Sequence, residues 1–507
     1  MVMPDAIIPT QNFRGISLRT VLSQVQFTKG QDIVCSAIST TEVDCEPGDL
    51  FIPEAEDHTD LLSRCQAAIE RGAAAILTEQ LLPLAIPQAI VPDAREALGI
   101  ISHAIVGNPS AKMRTIGITG SHGKTATAML VASVLEAASQ ACGVISSLGY
   151  SDSIEQVSTK CATPRSPKLA WWMSRMVKNK AAAAVIEMSS QGLSQRRTAG
   201  TSLDIAVLTN LRNVHTSEHG SAANYLAAKK RIFSHLKPGG LAIINADDHR
   251  SRQLLESLAC PTLTVGLHAE ADISARVIDR SIAEQRFTIT AGDETIQVRS
   301  RIIGDAHVAN CLSAVAVGLS LGIELSTIVR GIENVTYLPG RMQRLEVGQE
   351  FGVIVDAAST PDTLAIALKT ARRVTKGRVL LVFSASGEKN RDARPMLARV
   401  AEQGADLAVI TSGNPRRESP REITHQLLDG FHRPAKAHFI PTRAEAIRWA
   451  LGHAQPGDCV LICGHGDRTS HLVGTHKVRH DDREVALTWL YESGQRELAK
   501  PQLKIFG

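Results

Sequence analysis

The segment Thr115-Ile-Gly-Ile-Thr-Gly-Ser-His-Gly-Lys-Thr125 decides how this sequence folds. Its apolar first half predicts a strand, its glycines predict a tight turn, and the alanine-rich run that follows predicts a helix. In such a unit the N–H groups of the turn bind phosphate, the lysine neutralises phosphate oxygens, and the threonine hydroxyl reaches Mg²⁺. The loop is a variant, because Ile118 stands where the consensus has glycine. We therefore expect a nucleoside triphosphate site made of Gly120, Ser121, His122, Gly123, Lys124 and Thr125.

The composition narrows the class of protein. The chain has 507 residues, enough for roughly three domains. Its net charge of +4 is spread without long runs, which argues against a nucleic-acid or membrane surface. The nine cysteines are scattered without a paired CxxC, which favours reduced thiols, and no leader or apolar run of about 18 residues is present. We predict a cytoplasmic monomer that binds small molecules and neither binds nucleic acid nor inserts into a membrane.

Apolar segments that alternate with helical patterns organise most of the chain. The first series has expected strands at 115–119, 183–188, 204–210 and 241–245. Continuous apolar strands separated by helices predict a doubly wound, mostly parallel sheet. Ligands lie beyond the carboxyl ends of such strands, so Gly120, Glu187 and Asn210 should line one crevice. After a break at Pro339–Gly340, a second alternating series predicts a separate Rossmann-like α/β domain.

Further motifs follow in a fixed order and resemble those of the Mur ligase family, most closely the branch that forms UDP-MurNAc-tripeptides. After the phosphate loop they are Glu187-Met-Ser-Ser190, Thr209-Asn-Leu211, His215, Tyr225-Leu-Ala-Ala-Lys229, Pro339-Gly-Arg-Met342, Asp356-Ala-Ala-Ser-Thr-Pro-Asp362, Asn414-Pro-Arg-Arg-Glu418 and Asp481-Asp-Arg-Glu484. The resemblance implies three α/β domains: a smaller UDP-substrate domain in residues 1–110, a central ATP-binding domain in 111–338, and an amino-acid-binding domain in 339–507.

The resemblance also implies an activity. The protein would be an ATP-dependent, ADP-forming amide ligase that adds an amino acid, expected to be meso-diaminopimelate, to UDP-MurNAc-L-Ala-D-Glu. This reaction belongs to peptidoglycan precursor synthesis, and so to cell-wall formation, cell shape and cell division. ATP converts the carboxylate to an acyl phosphate, which an amine then attacks. Charge-dense phosphoryl and tetrahedral species need positioned cations, so ATP and two Mg²⁺ ions are the implied cofactors.

The family's functional residues match positions of this sequence. Lys124 would stabilise phosphate charge, and Thr125 and Glu187 would hold one Mg²⁺. His215 and Lys229 would serve the second ion, with Lys229 carbamylated, and Lys124, His215 and Lys229 would be catalytic. Further implied nucleotide contacts are Asn210, Arg341 and Asp356. The implied substrate contacts are Thr163, Ser190, Arg197, Arg394, Asn414 and Arg416, of which Asn414 and Arg416 match the loop for the distal carboxylate of meso-diaminopimelate.

Several family patterns are altered in this chain. Val214 stands for an aspartate before His215, Gln191 stands for a histidine, and Thr41-Glu42-Val43 stands for an Asp-Ser-Arg pattern. The nucleotide pattern Asp-Tyr-Ala-His has become Asp356-Ala-Ala-Ser359, and the pattern Gly-Lys-Gly-His-Glu has become Gly464-His-Gly-Asp-Arg468. The last change puts a cation where the family binds an ammonium group, which argues against meso-diaminopimelate. Three hypotheses follow: a divergent active ligase, a paralogue with another acceptor, or an ATP-binding regulatory module.

Overall fold

A computed structural model describes residues 15–54, 60–159, 161–212, 219–388 and 391–493. The chain divides into two compact units. The first lies within residues 1–212, 221–273 and 310–331, and the second within 213–220, 274–309 and 332–507. None of the helices in the described ranges is long and apolar enough to cross a membrane.

The N-terminal part of the first unit is a small α/β layer. Its strands are β1 (Ile16–Ser17), β2 (Gln26–Phe27), β3 (Val34–Cys35), β4 (Ile38–Ser39), β5 (Leu50–Phe51), β6 (Ala75–Thr78) and β7 (Gln88–Ile90), and its helices are α1 (Leu18–Val21), α2 (Leu61–Glu70) and α3 (Ala94–Ile105). Strands β4 to β7 form a parallel sheet in the order β7-β6-β5-β4, to which β2 adds antiparallel beside β7. Helix α3 starts where the Asp93 side chain accepts the Glu96 N–H, which is a typical N-cap.

The rest of the first unit contains the large sheet. Its strands are β8 (Arg114–Thr119), β9 (Cys142–Ser146), β10 (Gly149–Ser151), β11 (Gln156–Val157), β12 (Ala183–Glu187), β13 (Leu203–Leu208), β14 (Leu236–Asn245) and β15 (Thr262–Gly266). They follow the order β11-β10-β9-β12-β8-β13-β14-β15, parallel from β9 to β15. Strand β12 is buried along its whole length. The predicted doubly wound, mostly parallel sheet is confirmed, and it puts the carboxyl ends of β9, β12, β8 and β13 side by side.

Helices connect these strands and lead into the second unit. They are α4 (Lys124–Ala137), α5 (Ser166–Lys178), α6 (Ser190–Ser194), α7 (Ala222–Lys230), α8 (His249–Gln253), α9 (Asp305–Ser320) and α10 (Leu325–Asn334). The strands β16 (Ile273–Arg280), β17 (Gln285–Ala291) and β18 (Glu294–Ser300) come between α8 and α9, and β17 pairs antiparallel with β18.

The second unit contains a six-stranded sheet. Its strands are β19 (Gln343–Arg344), β20 (Gly352–Asp356), β21 (Val379–Phe383), β22 (Leu407–Ile410), β23 (Ala437–Phe439) and β24 (Cys459–Cys463), in the order β19-β20-β24-β21-β22-β23. All neighbours are parallel except β19 with β20. The hairpin β25 (Ser470–Val473) and β26 (His476–Arg479) follows β24. The helices are α11 (Pro361–Val374), α12 (Arg394–Gly404), α13 (Pro420–Leu428), α14 (Arg443–Gly452) and α15 (Asp482–Glu492).

The two faces of this sheet carry different helices. Alternate residues of β21 point to opposite faces, as expected for a strand. Leu381 and Phe383 pack in a core cluster with α11, α12 and α13. Leu380 and Val382 pack in a second cluster with α14 and α15. The predicted Rossmann-like second domain is therefore confirmed as an architecture.

The turn at Pro339–Gly340, where we expected a domain break, is packed inside the second unit. Gly340 has φ +61°, and a Cβ on it would lie 2.1 Å from the backbone nitrogen of Asp467. Only glycine allows this close approach without a shift of the neighbouring loop. The three-domain division at residues 110 and 338 stays a prediction.

Candidate active site

The phosphate-binding loop lies between the end of β8 at Thr119 and the start of α4 at Lys124. Its glycines are required by both conformation and space. Gly120 has φ +151°, and a Cβ there would lie 1.9 Å from Thr209 Oγ1. Gly123 has φ +82°, and its Cβ would lie 2.3 Å from Asn310 Oδ1. The strand, turn and helix follow one another as predicted, with the turn seated closely on its neighbours.

Asn210, a predicted nucleotide contact, lies against the loop itself. Its Oδ1 accepts the His122 N–H at 3.0 Å, and its Nδ2 donates to the His122 carbonyl at 3.1 Å. The Ser121 N–H donates to the Asn210 carbonyl at 2.9 Å. Ser121 Oγ lies 2.8 Å from the Tyr225 hydroxyl and accepts the Arg212 N–H at 2.8 Å. These hydrogen bonds hold the loop in one conformation without a ligand, and an anion-binding site needs such preorganisation.

Two lysine amines meet at one carbonyl oxygen of the loop. Lys124 Nζ donates to the Gly120 carbonyl at 3.0 Å, and Lys229 Nζ donates to the same oxygen at 2.7 Å. Lys229 is only 2% exposed, and its Nζ lies 4.8 Å from the centre of the Tyr225 ring. Burial lowers the pKa of Lys229 well below its ordinary value, the Lys124 charge lowers it further, and Glu187 opposes both. A buried lysine in these surroundings favours the neutral amine.

A carboxylate ends the strand next to the phosphate loop. Glu187 is 3% exposed, and its Oε2 accepts the Thr125 hydroxyl at 2.9 Å and the Ser147 N–H at 3.0 Å. Ser147 Oγ lies 3.0 Å from Thr125 Oγ1. Within the described residues no hydrogen bond reaches Glu187 Oε1. Hydroxyl and carboxylate oxygens are the ligands that Mg²⁺ prefers, so Thr125, Glu187 and Ser147 form a candidate metal centre.

The predicted substrate residues of the first unit gather beside the same strand end. Thr163 Oγ1 donates to the Glu187 carbonyl at 2.8 Å and accepts the Ser189 N–H at 2.9 Å. Arg197 Nη1 donates to the Thr163 carbonyl at 2.9 Å. Ser190 opens the short helix α6, which Ser189 caps. The structure therefore brings Thr163, Ser190 and Arg197 together next to Glu187, whereas His215 lies outside the described residues.

In the second unit, Asp356 and Arg341 lie at the carboxyl edge of the sheet. The Asp356 carboxylate accepts the Met342 N–H at 2.7 Å and the Ala358 N–H at 2.8 Å. Burial raises the pKa of Asp356, and the backbone N–H donors and Arg341 oppose that rise. Arg341 Nη1 lies 3.2 Å from Asp467 Oδ1.

Asn414 and Arg416 are held against the hairpin that follows β24. Asn414 Oδ1 accepts the Leu472 N–H at 2.7 Å, and the Arg416 N–H donates to the Leu472 carbonyl at 3.0 Å. Arg416 has φ +56°, a left-handed backbone conformation that residues other than glycine and asparagine rarely adopt. Such strain is often found at functional sites. Arg416 Nη1 lies 3.7 Å from Glu388 Oε2.

Arg394 lies in a buried ion pair. It is 1% exposed, and its guanidinium donates to both Glu418 oxygens, at 2.9 and 2.7 Å. It also donates to Gln426 Oε1 at 2.7 Å and to the Ser386 carbonyl at 2.9 Å. The carboxylate partner of Arg394 in the described structure is thus Glu418, and its contact with the carboxylate of the incoming amino acid stays a prediction.

This chain is similar to known proteins over most of its length. Residues 118–318 match the model of the Mur ligase middle domain, and residues 340–466 match the Mur ligase, glutamate ligase domain. A UDP-N-acetylmuramoyl-L-alanyl-D-glutamate--2,6-diaminopimelate ligase of Geobacillus thermodenitrificans (strain NG80-2) is 35% identical over 483 residues, 93% of this chain and 98% of the relative. This chain belongs to the Mur ligase family.

Other relatives and solved structures cover this Mur ligase almost completely. A UDP-N-acetylmuramyl-tripeptide synthetase of Roseiflexus sp. (strain RS-1) is 34% identical over 472 residues, 88% of this chain and 93% of the relative. A solved UDP-N-acetylmuramoyl-L-alanyl-D-glutamate--2,6-diaminopimelate ligase superposes with a TM-score of 0.69 at 27% identity, covering 95% of this chain and all of that one. A MurF ligase of Thermotoga maritima in complex with ADP shares the fold at 16% identity and a TM-score of 0.62.

As a member of this family, the protein is an ATP-dependent, ADP-forming amide ligase that uses Mg²⁺. The arrangement in the first unit suits that chemistry. The loop presents N–H groups and an ammonium group to phosphate, and Thr125 with Glu187 presents hard oxygen ligands at its edge. The acceptor and the donor must come together in a preorganised polar site, because the charge that develops during phosphoryl transfer has to be stabilised.

Three residues beside the predicted site residues were given no role from the sequence, although Tyr225 and Glu418 stand in the quoted motifs. Ser147 comes directly after β9, which is parallel to β12, so recognition of β9 as a strand would have pointed to it. Tyr225 precedes Lys229 by one helical turn, and this spacing alone places both side chains on one face of α7. Glu418 ends the quoted motif Asn414-Pro-Arg-Arg-Glu418, but nothing in that motif indicates that Arg394 is its partner.

Proposed function

We propose that this Mur ligase joins meso-diaminopimelate to UDP-MurNAc-L-Ala-D-Glu and forms the UDP-MurNAc-tripeptide of peptidoglycan synthesis. The activities of the relatives support the substrates, since several of these relatives are named as 2,6-diaminopimelate ligases. The observation that carries the proposal is the cluster at the end of β12. There the Thr125 hydroxyl donates to Glu187 at 2.9 Å, directly after the phosphate loop.

The reaction proceeds in two steps. A carboxylate oxygen of the D-glutamyl residue forms a bond to the γ-phosphorus of ATP while the bond to ADP breaks. The amine of the acceptor then attacks the acyl carbon, phosphate leaves, and the amine loses a proton. In the first step the N–H groups of the loop and the Lys124 ammonium stabilise the charge on the phosphoryl oxygens.

Thr125 and Glu187 would hold one Mg²⁺, and His215 and Lys229 the second. Glu187 Oε1 fits this role, because no described residue donates a hydrogen bond to it. Magnesium supplies positive charge against the phosphate oxygens. The number of ions, two, is part of the proposal.

A carbamate on Lys229 is also part of the proposal. An ammonium group would repel a metal ion, whereas addition of the neutral amine to CO₂ forms an N–C bond, releases one proton and leaves an anionic oxygen ligand. Two facts support it: Lys229 is 2% exposed, and burial lowers its pKa.

The remaining roles follow the same assignment. Asn210 would position the loop around the nucleotide, and Arg341 and Asp356 would contact ATP. Thr163, Ser190 and Arg197 would contact the UDP-substrate beside Glu187. Asn414 and Arg416 would bind a carboxylate of the incoming amino acid. We expect the protein to work as a cytoplasmic monomer.

A phosphate-release assay tests the proposal. It uses ATP, Mg²⁺ and UDP-MurNAc-L-Ala-D-Glu, with meso-diaminopimelate, L-lysine or no amino acid. We expect release that requires both the nucleotide dipeptide and meso-diaminopimelate. Phosphate release that occurs with a different amino acid and not with meso-diaminopimelate would indicate a paralogue with another acceptor. Bound ATP without release in any combination would indicate a regulatory module.

A pair of variants then tests the phosphate loop. Lys124→Ala should abolish turnover, and Lys178→Ala, which changes an exposed lysine at the end of α5, should leave it unchanged. Turnover that survives in Lys124→Ala would contradict the assignment of the loop.

A further inference from the structure

The loop that follows β24 lies at a switch point of the sheet in the second unit. Strand β24 stands between β20 and β21, and all three are parallel. The helices after β20 and β21 pack on one face of the sheet, and helix α15 after β24 packs on the other. Where the connections diverge in this way, a crevice opens at the carboxyl edge and binds ligands. The residues from Gly464 to Arg468 directly follow β24 at this edge of the sheet.

Most guanidinium groups beside this loop are paired with a carboxylate. The pairs are Arg341 with Asp467, Arg416 with Glu388, Arg443 with Asp482 and Arg483 with Asp481. For Arg468 no ion pair and no side-chain hydrogen bond is found among the described residues, and part of its side chain reaches solvent.

The charges in this region act on Arg468 as well as on any ligand. Loss of hydration lowers the pKa of Arg468, and the charges of Arg341, Arg416 and Arg443 lower it further, with Asp467 in opposition. The same guanidinium groups would attract a carboxylate of a ligand.

Buried polar atoms in the same loops also lack a partner. His465 is 2% exposed, and its Nε2 has no hydrogen bond in the described part of the chain. His471 Nδ1 and Arg416 Nε are also buried atoms with no hydrogen bond to the described residues. The rings of His465 and His471 lie 5.6 Å apart. Orphaned buried polar groups are rare in folded proteins and are expected where a ligand completes the site.

We propose that Arg468 binds a carboxylate of the acceptor amino acid, so that the enzyme selects an acceptor for its two carboxylates and ignores a second ammonium group. The inference rests on the proposed function. Arginine suits this role because its planar fork pairs with a carboxylate through two hydrogen bonds. With Arg416 holding one carboxylate and Arg468 the other, the site distinguishes a dicarboxylic amino acid from lysine.

The test compares three acceptors with the intact enzyme, UDP-MurNAc-L-Ala-D-Glu and ATP. They are meso-diaminopimelate, L-lysine, and L-2-aminopimelate, which keeps both carboxylates and lacks the second amine. We expect kcat/KM for L-2-aminopimelate within about tenfold of that for meso-diaminopimelate, and a value for L-lysine about 100-fold lower, which is the usual cost of leaving charged groups unpaired.

A variant assigns the effect to the residue. Arg468→Gln should raise KM about 10- to 100-fold for both dicarboxylic acceptors and leave KM for ATP unchanged. The matched control, Arg448→Gln, removes the same charge from the exposed side of α14 and should change neither value.

Three results would overturn the proposal. Turnover with meso-diaminopimelate but not with L-2-aminopimelate would show that the second ammonium group is recognised, and the proposed function would stand. A higher KM for ATP in Arg468→Gln, with KM for the acceptors unchanged, would assign Arg468 to a nucleotide phosphate. Absence of turnover with every acceptor would overturn the proposed function itself, and this inference with it.

Discussion

Replacement of Glu418 by glutamine should destabilise the second unit strongly. Glu418 faces Arg394, whose side chain is 1% exposed, and both guanidinium nitrogens Nη1 and Nη2 donate to its oxygens. The substitution preserves the shape of the side chain and removes the negative charge. It therefore leaves a buried guanidinium without its counter-ion, which is a more costly defect than the loss of one hydrogen bond.

The magnitude follows from two features of the pair. The Arg394 side chain, with smaller contributions from the Glu388 N–H and Arg391, lowers the pKa of Glu418 to about 2 from an ordinary value of 4.5. At about 1.4 kcal/mol for each pH unit, this difference corresponds to roughly 3 kcal/mol. Removal of one partner of a buried ion pair costs about 3–5 kcal/mol, which agrees. Because the pKa is lowered in the folded state, this stability is present above about pH 4.5 and is lost as the pH falls towards 2.

Hydrogen exchange followed by mass spectrometry at pH 7 measures the effect. The amides of β21 and β22 report it, because these strands share a core cluster with α12, the helix that begins at Arg394. We expect their free energy of opening to fall by about 3 kcal/mol in Glu418→Gln. Glu346→Gln is the control, since Glu346 is exposed and pairs with Arg344 in the same unit, and it should cost less than about 1 kcal/mol.

If the free energy of opening fell no further in Glu418→Gln than in Glu346→Gln, the pair of Glu418 and Arg394 would not stabilise the second unit as we infer. The same conclusion would follow from an Arg394→Met variant with unchanged hydrogen exchange and a raised KM for the acceptor. These two results together would indicate that Arg394 contacts the acceptor amino acid.

Three further predictions test other parts of the fold and the site. Gly123→Ala should weaken binding of a non-hydrolysable ATP analogue by about tenfold or more in calorimetry, because an alanine Cβ would strain the left-handed backbone and collide with Asn310. The control Gly322→Ala, where φ is +76° but the Cβ meets open space, should not change binding. Glu187→Gln should lower kcat about 100-fold or more and raise the Mg²⁺ concentration needed for turnover, and an unchanged Mg²⁺ dependence would speak against a metal ligand at this position. Burial lowers the pKa of His103 to about 3 from 6.5, so the unfolded chain binds one more proton than the folded chain between these pH values. The free energy of unfolding should therefore fall by about 1.4 kcal/mol per pH unit as the pH drops below 6.5. His103→Gln should make this pH dependence less steep in chemical denaturation, and an equally steep dependence would contradict the prediction.

The sequence was sufficient to predict the central strands of both large sheets. Strands such as β12 and β21 are buried on both faces, so they appear as unbroken apolar runs. Strand β9 was missed, because Cys142-Gly-Val-Ile-Ser146 is short and contains a glycine. With β9 missing, Ser147 could not be placed next to Glu187, although the two are joined by a hydrogen bond of 3.0 Å.

The candidate site was predicted where local order determines it, and not where a distant partner does. The phosphate loop, Thr125 and Glu187 follow from a strand, a turn and a neighbouring strand. The pairing of Arg394 with Glu418 was not predicted, because a guanidinium is satisfied equally well by a ligand carboxylate or by Glu418, and no local pattern decides between them. The same argument explains why Arg468 required the structure, since its lack of a partner appears only once the surrounding charges are placed.

The proposed reaction depends on activation of the D-glutamyl carboxylate of UDP-MurNAc-L-Ala-D-Glu as an acyl phosphate. The most direct measurement is oxygen transfer, with ¹⁸O in that carboxylate and mass spectrometry of the phosphate released in the presence of meso-diaminopimelate. We predict that each phosphate formed carries one ¹⁸O atom, because the carboxylate oxygen bonded to phosphorus leaves with it. Unlabelled phosphate would mean that water attacks ATP directly, and it would contradict the account.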